Sequence, residues 1–205
     1  MKLLIATRNA HKLREIRAIL AEPGLELIGA DAIPNLPEVE ENGTTFEANA
    51  VKKAVTLALL SRLWTLADDS GLEVAALGGE PGVRSARYAG EPVSYAANNQ
   101  KLLQALAGAA DRHACFRCAI ALSSPSGRAQ VVEGRCAGQI ILELRGAQGF
   151  GYDPLFVPDG YTTTFAEMAD EQKNRISHRA RALQKARQTW GELLAAAPKD
   201  WPARG

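Results

Sequence analysis

Only three cysteines, Cys115, Cys118 and Cys136, occur in this 205-residue chain. An odd, sparse set excludes a complete disulfide framework and fits reduced thiols in a cytoplasm. Cys115 and Cys118, with His113 nearby, have the spacing of a zinc or redox pair. They lie, however, in the strand-like run Ala114 to Leu122, where positions three apart face opposite sides of a sheet, so they do not converge on one metal. Long apolar runs are also missing: nothing approaches the roughly 18 residues that a membrane-spanning helix needs. The apolar opening Met1 to Ala6 is too short for a signal peptide and is closed by Arg8, so it reads as a first strand of a soluble protein. Neither sign of charge dominates, with 24 Lys plus Arg against 23 Asp plus Glu. No global positive field therefore argues for nucleic acid or an anionic membrane surface, and any anion site must be local. The phosphate-loop pattern G-x-x-x-x-G-K-[ST] and the dinucleotide pattern G-x-G-x-x-G are both absent, which removes support from those two folds.

What is present is an alternation of strand-like and helix-like segments divided by short Gly/Pro punctuation, the pattern of a mixed α/β fold. A single folding unit is the default at this length, and two lobes, if present, are interleaved. Leu3 to Ala6 predicts a strand. Ala10 to Glu22 predicts a helix with Leu13, Ile16, Ile19 and Leu20 toward the core, ended by Pro23-Gly24. Thr44 and Glu47 have the spacing of a capping box for a helix to about Leu60. On it Asn49, Lys52 and Thr56 share a polar arc, with Lys53 at the boundary of the Phe46 and Ala50 face. Leu63 to Ala67 predicts a strand ending abruptly at Asp68-Asp69-Ser70-Gly71. Ser94 predicts the cap of a helix from Tyr95 to Ala107. Strands are expected over 114–122, 129–136 and 139–144, the first two joined through Pro125-Ser126-Gly127. One long helix is expected from Ile176 to Ala196, with Ile176, Ala180, Leu183, Trp190 and Leu194 as its buried stripe, followed by a frayed tail after Pro198.

Several segments carry residue types suited to chemistry. Adjacent carboxylates such as Asp68 and Asp69 repel each other unless a cation or proton intervenes. Magnesium is the natural cation, since it binds one or two carboxylates while bridging substrate phosphates; the plainer reading is a solvated turn. Glu38-Val39-Glu40-Glu41 offers a further carboxylate, or is simply a solvated acidic loop. Thr7-Arg8-Asn9-Ala10-His11-Lys12 joins the first strand to the first helix, so its amides and the helix dipole face a possible anion, with Lys12 as a point charge. Gly149-Phe150-Gly151-Tyr152-Asp153-Pro154 combines aromatics, glycines and a carboxylate, as suits a loop approached by a planar base; packed aromatics on a turn are the alternative. Lys173, Arg175, His178 and Arg179 cluster before and at the start of the last helix, where cations oppose the dipole and call for an anionic or acceptor-rich partner. The alternative is a basic solvated face continued by Arg181, Lys185 and Arg187. His178 suits a hydrogen-bond donor better than a metal ligand.

In order and spacing these segments, together with Gly43 to Asn49, Lys53 and Leu77 to Gly90, resemble the inosine triphosphate pyrophosphatase family, the house-cleaning purine nucleoside triphosphate pyrophosphatases, over nearly the whole chain. The resemblance implies a two-lobed α/β fold around a long mixed sheet, an active-site cleft between the lobes, and a cytoplasmic homodimer. It implies magnesium-dependent hydrolysis of deaminated purine nucleoside triphosphates (ITP, dITP, XTP) to monophosphate and pyrophosphate. It also implies Asp69 as general base and metal ligand, Glu40 as a further ligand, and Ser70 with Thr7, Arg8, Asn9, Ala10, His11 and Lys12 at the triphosphate. Phe150, Gly151, Tyr152, Asp153, Lys173, His178 and Arg179 would hold the base. Arg8 stands where many members carry a small residue, and the neighbouring Glu41 and Asp68 leave the ligand set open by one position. The rival readings are a related pyrophosphatase acting on pyrimidine or modified nucleotides, and an RNA-binding module using the basic stretch 173–187.

Overall fold

Leu3, Leu4 and Ile5 are completely buried in the computed structural model, which describes residues 1–196 and 198–201. A short strand buried on both faces must be covered on both faces and paired on both edges. That strand, β1 (Lys2–Ile5), pairs in parallel with β2 (Glu26–Gly29) and β3 (Trp64–Val74). The sheet has six strands in the order β2-β1-β3-β4-β5-β6, with β4 at His113–Ser123, β5 at Ala129–Ile140 and β6 at Phe156–Pro158. Strands β4 and β5 are neighbours joined by residues 124–128, a connection too short for anything but an antiparallel pair, and β5 pairs antiparallel with β6. The sheet is therefore mixed. Its helices are α1 (Ala10–Leu20), α2 (Phe46–Ser61), α3 (Tyr95–Ala105), α4 (Asp170–Ile176) and α5 (His178–Ala196).

The chain divides into two compact units: Met1–Asp69 with Cys118–Gly134 and the chain from Arg181 on, and Ser70–Arg117 with Arg135–Ala180. They are interleaved along the sequence, so β3, β4, β5 and α5 each contribute to both. In the first unit Leu3, Ile5 and Leu66 join Ile16 and Leu20 of α1 and Leu183 and Trp190 of α5 in one apolar cluster. Side chains alternate across a strand, so Asp68 lies on the same face as Leu66, toward α1, and Asp69 on the opposite face. The second unit has its own core around Leu72, Leu102, Phe116, Phe156 and Phe165. Its rings Phe116 and Phe156 meet edge to face with centroids 4.7 Å apart.

Several boundaries differ from the sequence expectation, each for a physical reason. Strand β3 does not stop at Ala67; it runs on to Val74 with Asp68 and Asp69 buried inside it, because their charges are met by side chains from elsewhere. That removes the solvated-turn reading. Helix α1 ends at Leu20 rather than Glu22, and its expected stripe holds, with Ile16 and Leu20 buried and Leu13 and Ile19 packed against the core. The cap of α2 is Thr45, whose side chain accepts from the Ala48 amide, so Thr44 and Glu47 form no capping box. Asn49 and Lys53 both lie on the buried face of α2, three residues after Phe46 and Ala50 respectively, and Asn49 is not part of an exposed polar arc. Ser94 caps α3 as expected, though the helix ends at Ala105.

The expected strand over 139–144 does not form. Strand β5 continues to Ile140, and Leu142 and Leu144 then stand exposed. The expected single C-terminal helix is broken at Ser177, which is extended at φ −64° and ψ 158°; its Oγ accepts the Ala180 amide at 3.2 Å, which starts α5 afresh. The tail is not frayed through Trp201: the Trp64 indole donates to the Pro198 carbonyl, and the Trp201 ring meets Trp64 edge-on at 5.1 Å. Residues 202–205 of that predicted tail lie outside the described residues. The cysteines are free, Cys118 packed in the first core and Cys136 in the second. No helix among the described residues is long and apolar enough to cross a membrane.

Candidate active site

In the first unit the loop after β1 is built by its own side chains. Asn9 Oδ1 accepts the amides of His11 and Lys12, at 2.9 and 3.3 Å, which caps α1 and satisfies donors that would otherwise face outward. Thr7 Oγ1 accepts the Asn9 amide at 3.2 Å. Ala10 opens the helix. The cap aims Lys12 along the sheet, where its Nζ lies 3.1 Å from Asp68 Oδ2. Arg8 turns away from this cluster and donates to the Leu36 carbonyl at 2.8 Å, while His11 contacts Arg14 on the exposed side.

Asp69 is met from the α2 side. Asn49 Nδ2 donates to Asp69 Oδ2 at 2.9 Å, and Asn49 Oδ1 accepts the Gly43 amide at 2.7 Å. A side chain at Gly43 would fall 2.7 Å from Asn49 Oδ1, so the close approach requires glycine there. Lys53 binds the Glu41 carboxylate, and Lys52 donates to the Glu40 carbonyl and to Asn42 Oδ1, at 2.8 and 2.9 Å. Three residues of one helix thus hold the acidic loop.

Burial first, and the Glu41 charge second, push the Asp69 carboxyl from 3.8 up to about 6, against the opposing pull of Lys12, Lys53 and the Asn49 hydrogen bond. Glu41, rather than Glu40, is the acidic-loop carboxylate whose field reaches Asp69. The Glu40 side chain is exposed and takes a bond from Asn42 Nδ2 at 3.3 Å. A buried carboxyl beside another carboxylate gains most from a hard cation, which favours its ionised form. Among the described residues no group of three or more His, Cys, Asp or Glu side chains is arranged to hold a metal by itself. Magnesium does not require one, because it binds through one or two carboxylates completed by water and phosphate oxygens; Asp69, with the Glu41 carboxylate in its field, offers hard oxygen donors that fit it.

In the second unit Lys173 and Asp153 are both buried and lie 2.7 Å apart. Asp153 Oδ2 also accepts the Phe150 amide at 2.8 Å, which closes the 149–153 loop. Gly149 sits at φ +73°, and a Cβ on it would stand 2.1 Å from Asp153 Oδ2. The Phe150 ring receives two cations, Lys173 Nζ at 5.2 Å and Arg179 Cζ at 5.7 Å from its centroid. Arg179 Nη2 donates to Ser70 Oγ at 2.8 Å. The His178 ring lies flat on Phe116, 4.6 Å away at 10°. Gly151 is fixed through its carbonyl by Asn99 Nδ2 at 2.9 Å.

Of the residues expected at the base, Phe150, Asp153, Lys173 and Arg179 come together. Tyr152 turns into the core, its hydroxyl donating to the Ser85 carbonyl at 2.9 Å. Burial of Lys173, His178 and Arg179 removes the solvated basic-face reading for them, while Arg175 is exposed. The break at Ser177 also places Lys173 in the last turn of α4, where a cation suits the dipole rather than opposing it. Sequence reasoning missed the parts played by Asn49 and Asn99. The signal for Asn49 was its place three residues after Phe46 on an otherwise apolar stripe.

The fold and these side chains define a mixed α/β protein with a buried carboxylate and lysine centre in its first unit and a cluster of cations on an aromatic ring in its second. The sequence profile of the Ham1 family matches residues 3–189, and the chain belongs to that family. It is 50% identical over 195 residues to a protein of Desulforamulus reducens named dITP/XTP pyrophosphatase, covering 94% of this chain and 97% of that one. It is 52% identical over 184 residues to a protein of the same name from Geobacter sulfurreducens, covering 89% and 92%. The solved Ham1 protein of Staphylococcus aureus superposes with a TM-score of 0.85 at 40% identity, over 94% of this chain and all of that one. A HAM1 protein from Coxiella burnetii gives 0.86 at 39%, over 94% and 99%.

Proposed function

We propose that this chain is a magnesium-dependent pyrophosphatase that hydrolyses deaminated purine nucleoside triphosphates, dITP, XTP and ITP, to the monophosphate and pyrophosphate. Family membership and the relatives' names support the reaction class. The observation that carries the assignment to residues is the buried Asp69 carboxyl, raised to about 6 with Glu41, Lys12 and Lys53 in its field. A base poised near neutrality is matched to taking a proton from water at physiological pH.

Asp69 accepts a proton from a water molecule as the water oxygen bonds to the α-phosphorus. The bond from that phosphorus to the bridging oxygen breaks, and pyrophosphate leaves. Lys12 and Lys53 supply positive charge where negative charge builds on the leaving group, and the dipole at the N-terminal end of α1 suits phosphate oxygens. Asp69 and an acidic-loop carboxylate, Glu40 or Glu41, would hold the magnesium, which when bound neutralises the phosphates and polarises the reacting phosphorus.

The Phe150 ring offers a stacking surface for the base, and Lys173, His178 and Arg179 offer donors. A 6-oxo purine presents an acceptor where adenine presents an amino group, so buried donors that adenine leaves unpaired give discrimination on the order of 10⁴. Ser70, tied to Arg179, follows Asp69 directly in the chain and is read as a phosphate contact. A homodimer and a cytoplasmic setting belong to the same proposal. Exposed Leu142 and Leu144 are apolar surface that an assembly would cover, and a solution mass of twice 21.9 kDa is the expected result.

The test is pyrophosphate release from a panel of ITP, dITP, XTP, ATP, GTP and pyrimidine triphosphates with and without magnesium. Release confined to magnesium and strongest for the deaminated purines is expected. Preference for pyrimidines, or turnover undiminished in EDTA, would overturn the assignment.

A further inference from the structure

The carboxamide of Asn49 touches two parts of the first unit at once. Its Oδ1 accepts the backbone N–H of Gly43 at 2.7 Å, and its Nδ2 donates to Asp69 Oδ2 at 2.9 Å. The side chain is buried at 1% exposure, so each bond is shielded from competing water, and a buried donor or acceptor left unpaired is costly. The Gly43 amide donates only, so the face of Asn49 toward it must be an acceptor. The face toward Asp69 is then necessarily the N–H donor. Gly43 lies two residues beyond Glu41, whose own charge is held by Lys53 on the same helix, one turn on from Asn49.

We propose that Asn49 is a positioning residue of the active centre: its amide fixes the Asp69 carboxylate and the acidic loop to one another, so that carboxylates from both present their oxygens to one divalent cation. This rests on the reading of Asp69 and the acidic loop as the magnesium site. Asn49 touches neither phosphate nor water in the reaction; it acts through Asp69 and Gly43. Such a partner of a metal-binding carboxylate is expected to matter to cation affinity by about 10- to 100-fold. Aspartate at position 49 would keep the bond from Gly43 but turn an oxygen toward Asp69 Oδ2, so two carboxylates would oppose each other at hydrogen-bond distance. Exchanging the pair, Asn49→Asp with Asp69→Asn, restores donor to acceptor in the reverse direction.

Two measurements on the full chain test this. In steady-state hydrolysis of dITP, Asn49→Ala should raise the magnesium concentration for half-maximal rate by about tenfold or more, with the KM for dITP at saturating magnesium changed much less. A generally loosened fold would lower the melting temperature without separating these two constants. In calorimetry at pH 8 in EDTA, which needs no activity, Asn49→Asp should lower Tm by roughly 5 °C, and Asp69→Asn should raise Tm more in the Asn49→Asp background than in the wild type, because it also relieves the opposed pair of carboxylates. If Asp69→Asn raises Tm equally in the two backgrounds, or the magnesium midpoint of Asn49→Ala equals that of the wild type, the positioning role is refuted. Failure of the wild type to hydrolyse dITP would sink the proposed function and leave the melting result to judge the Asn49 bond alone.

Discussion

Removing the charge of Asp69 should destroy activity and strengthen the fold, and the size of the second effect follows from the structure. The carboxyl titrates near 6 in the folded chain against 3.8 for the unperturbed group, with burial the largest cause. Each tenfold change in an acid's ionisation constant is worth about 1.4 kcal/mol between its two protonation states. Ionised Asp69 therefore costs the folded state about 3 kcal/mol at neutral pH when no cation is bound. Asparagine keeps the shape and an oxygen for Asn49 Nδ2 but carries no charge. Asp69→Asn should thus raise stability in EDTA by about 3 kcal/mol, or about 6–12 °C in Tm for a chain of this size. Proton linkage fixes the sign. Between about pH 4 and 6 the folded state holds the proton that the unfolded state has already released, so wild-type stability falls as pH rises through that window. The variant's advantage should be complete above about pH 6 and vanish below about pH 4. Urea unfolding at pH 3.5, 5 and 8 reads this directly. An equal or lower stability of Asp69→Asn at pH 8 would refute the claim that burial and Glu41 hold this carboxyl high.

Other outcomes follow from neighbouring features. The acid limb of kcat/KM for wild-type hydrolysis should lie near pH 6 at limiting magnesium and move to lower pH as magnesium rises, because a cation favours ionised Asp69; a limb indifferent to magnesium would separate the base from the metal site. Lys173→Met leaves Asp153 charged and buried, so it should cost about 3–5 kcal/mol in urea unfolding. Gly149→Ala forces a side chain into the left-handed region and against Asp153; a loss of about 1–2 kcal/mol should accompany weakened selection of dITP over dATP in competition assays. Trp201→Ala should cost about 2 kcal/mol in fluorescence-detected unfolding, since its ring packs on Trp64 and its indole donates to the Arg128 carbonyl.

The apolar opening strand, the stripe of α1 and the Ser94 cap were all legible because they depend on neighbours within a few residues. The continuation of β3 was not. Two aspartates read locally as the end of a strand, and partners distant along the chain, Lys12, Asn49 and Lys53 among them, make their burial tolerable. The same holds for the acidic loop, whose composition does not reveal that Lys53 binds Glu41 or that Glu41 is the loop carboxylate whose charge is felt at Asp69. Strands β2 and β6, of four and three residues, are too short for a period-two signal. The break at Ser177 left a local trace, a serine ahead of an apolar-periodic run, which is a common helix start. Phe150, Asp153, Lys173 and Arg179 lie near one another, but the inward turn of Tyr152 depends on a carbonyl at Ser85 that no spacing reveals.

The alternation of side chains along β3 makes the strand a counting device. Asp68 answers to α1 and Asp69 to α2 because they are consecutive, one on each side of the sheet. Losing or gaining a single residue between Trp64 and Asp68 would exchange their clients, handing Lys12 and Asn49 each the wrong carboxylate while composition stayed almost unchanged. Insertions should be tolerated in the surface turns of descendants and engineered forms, whereas the length of this stretch should behave as fixed.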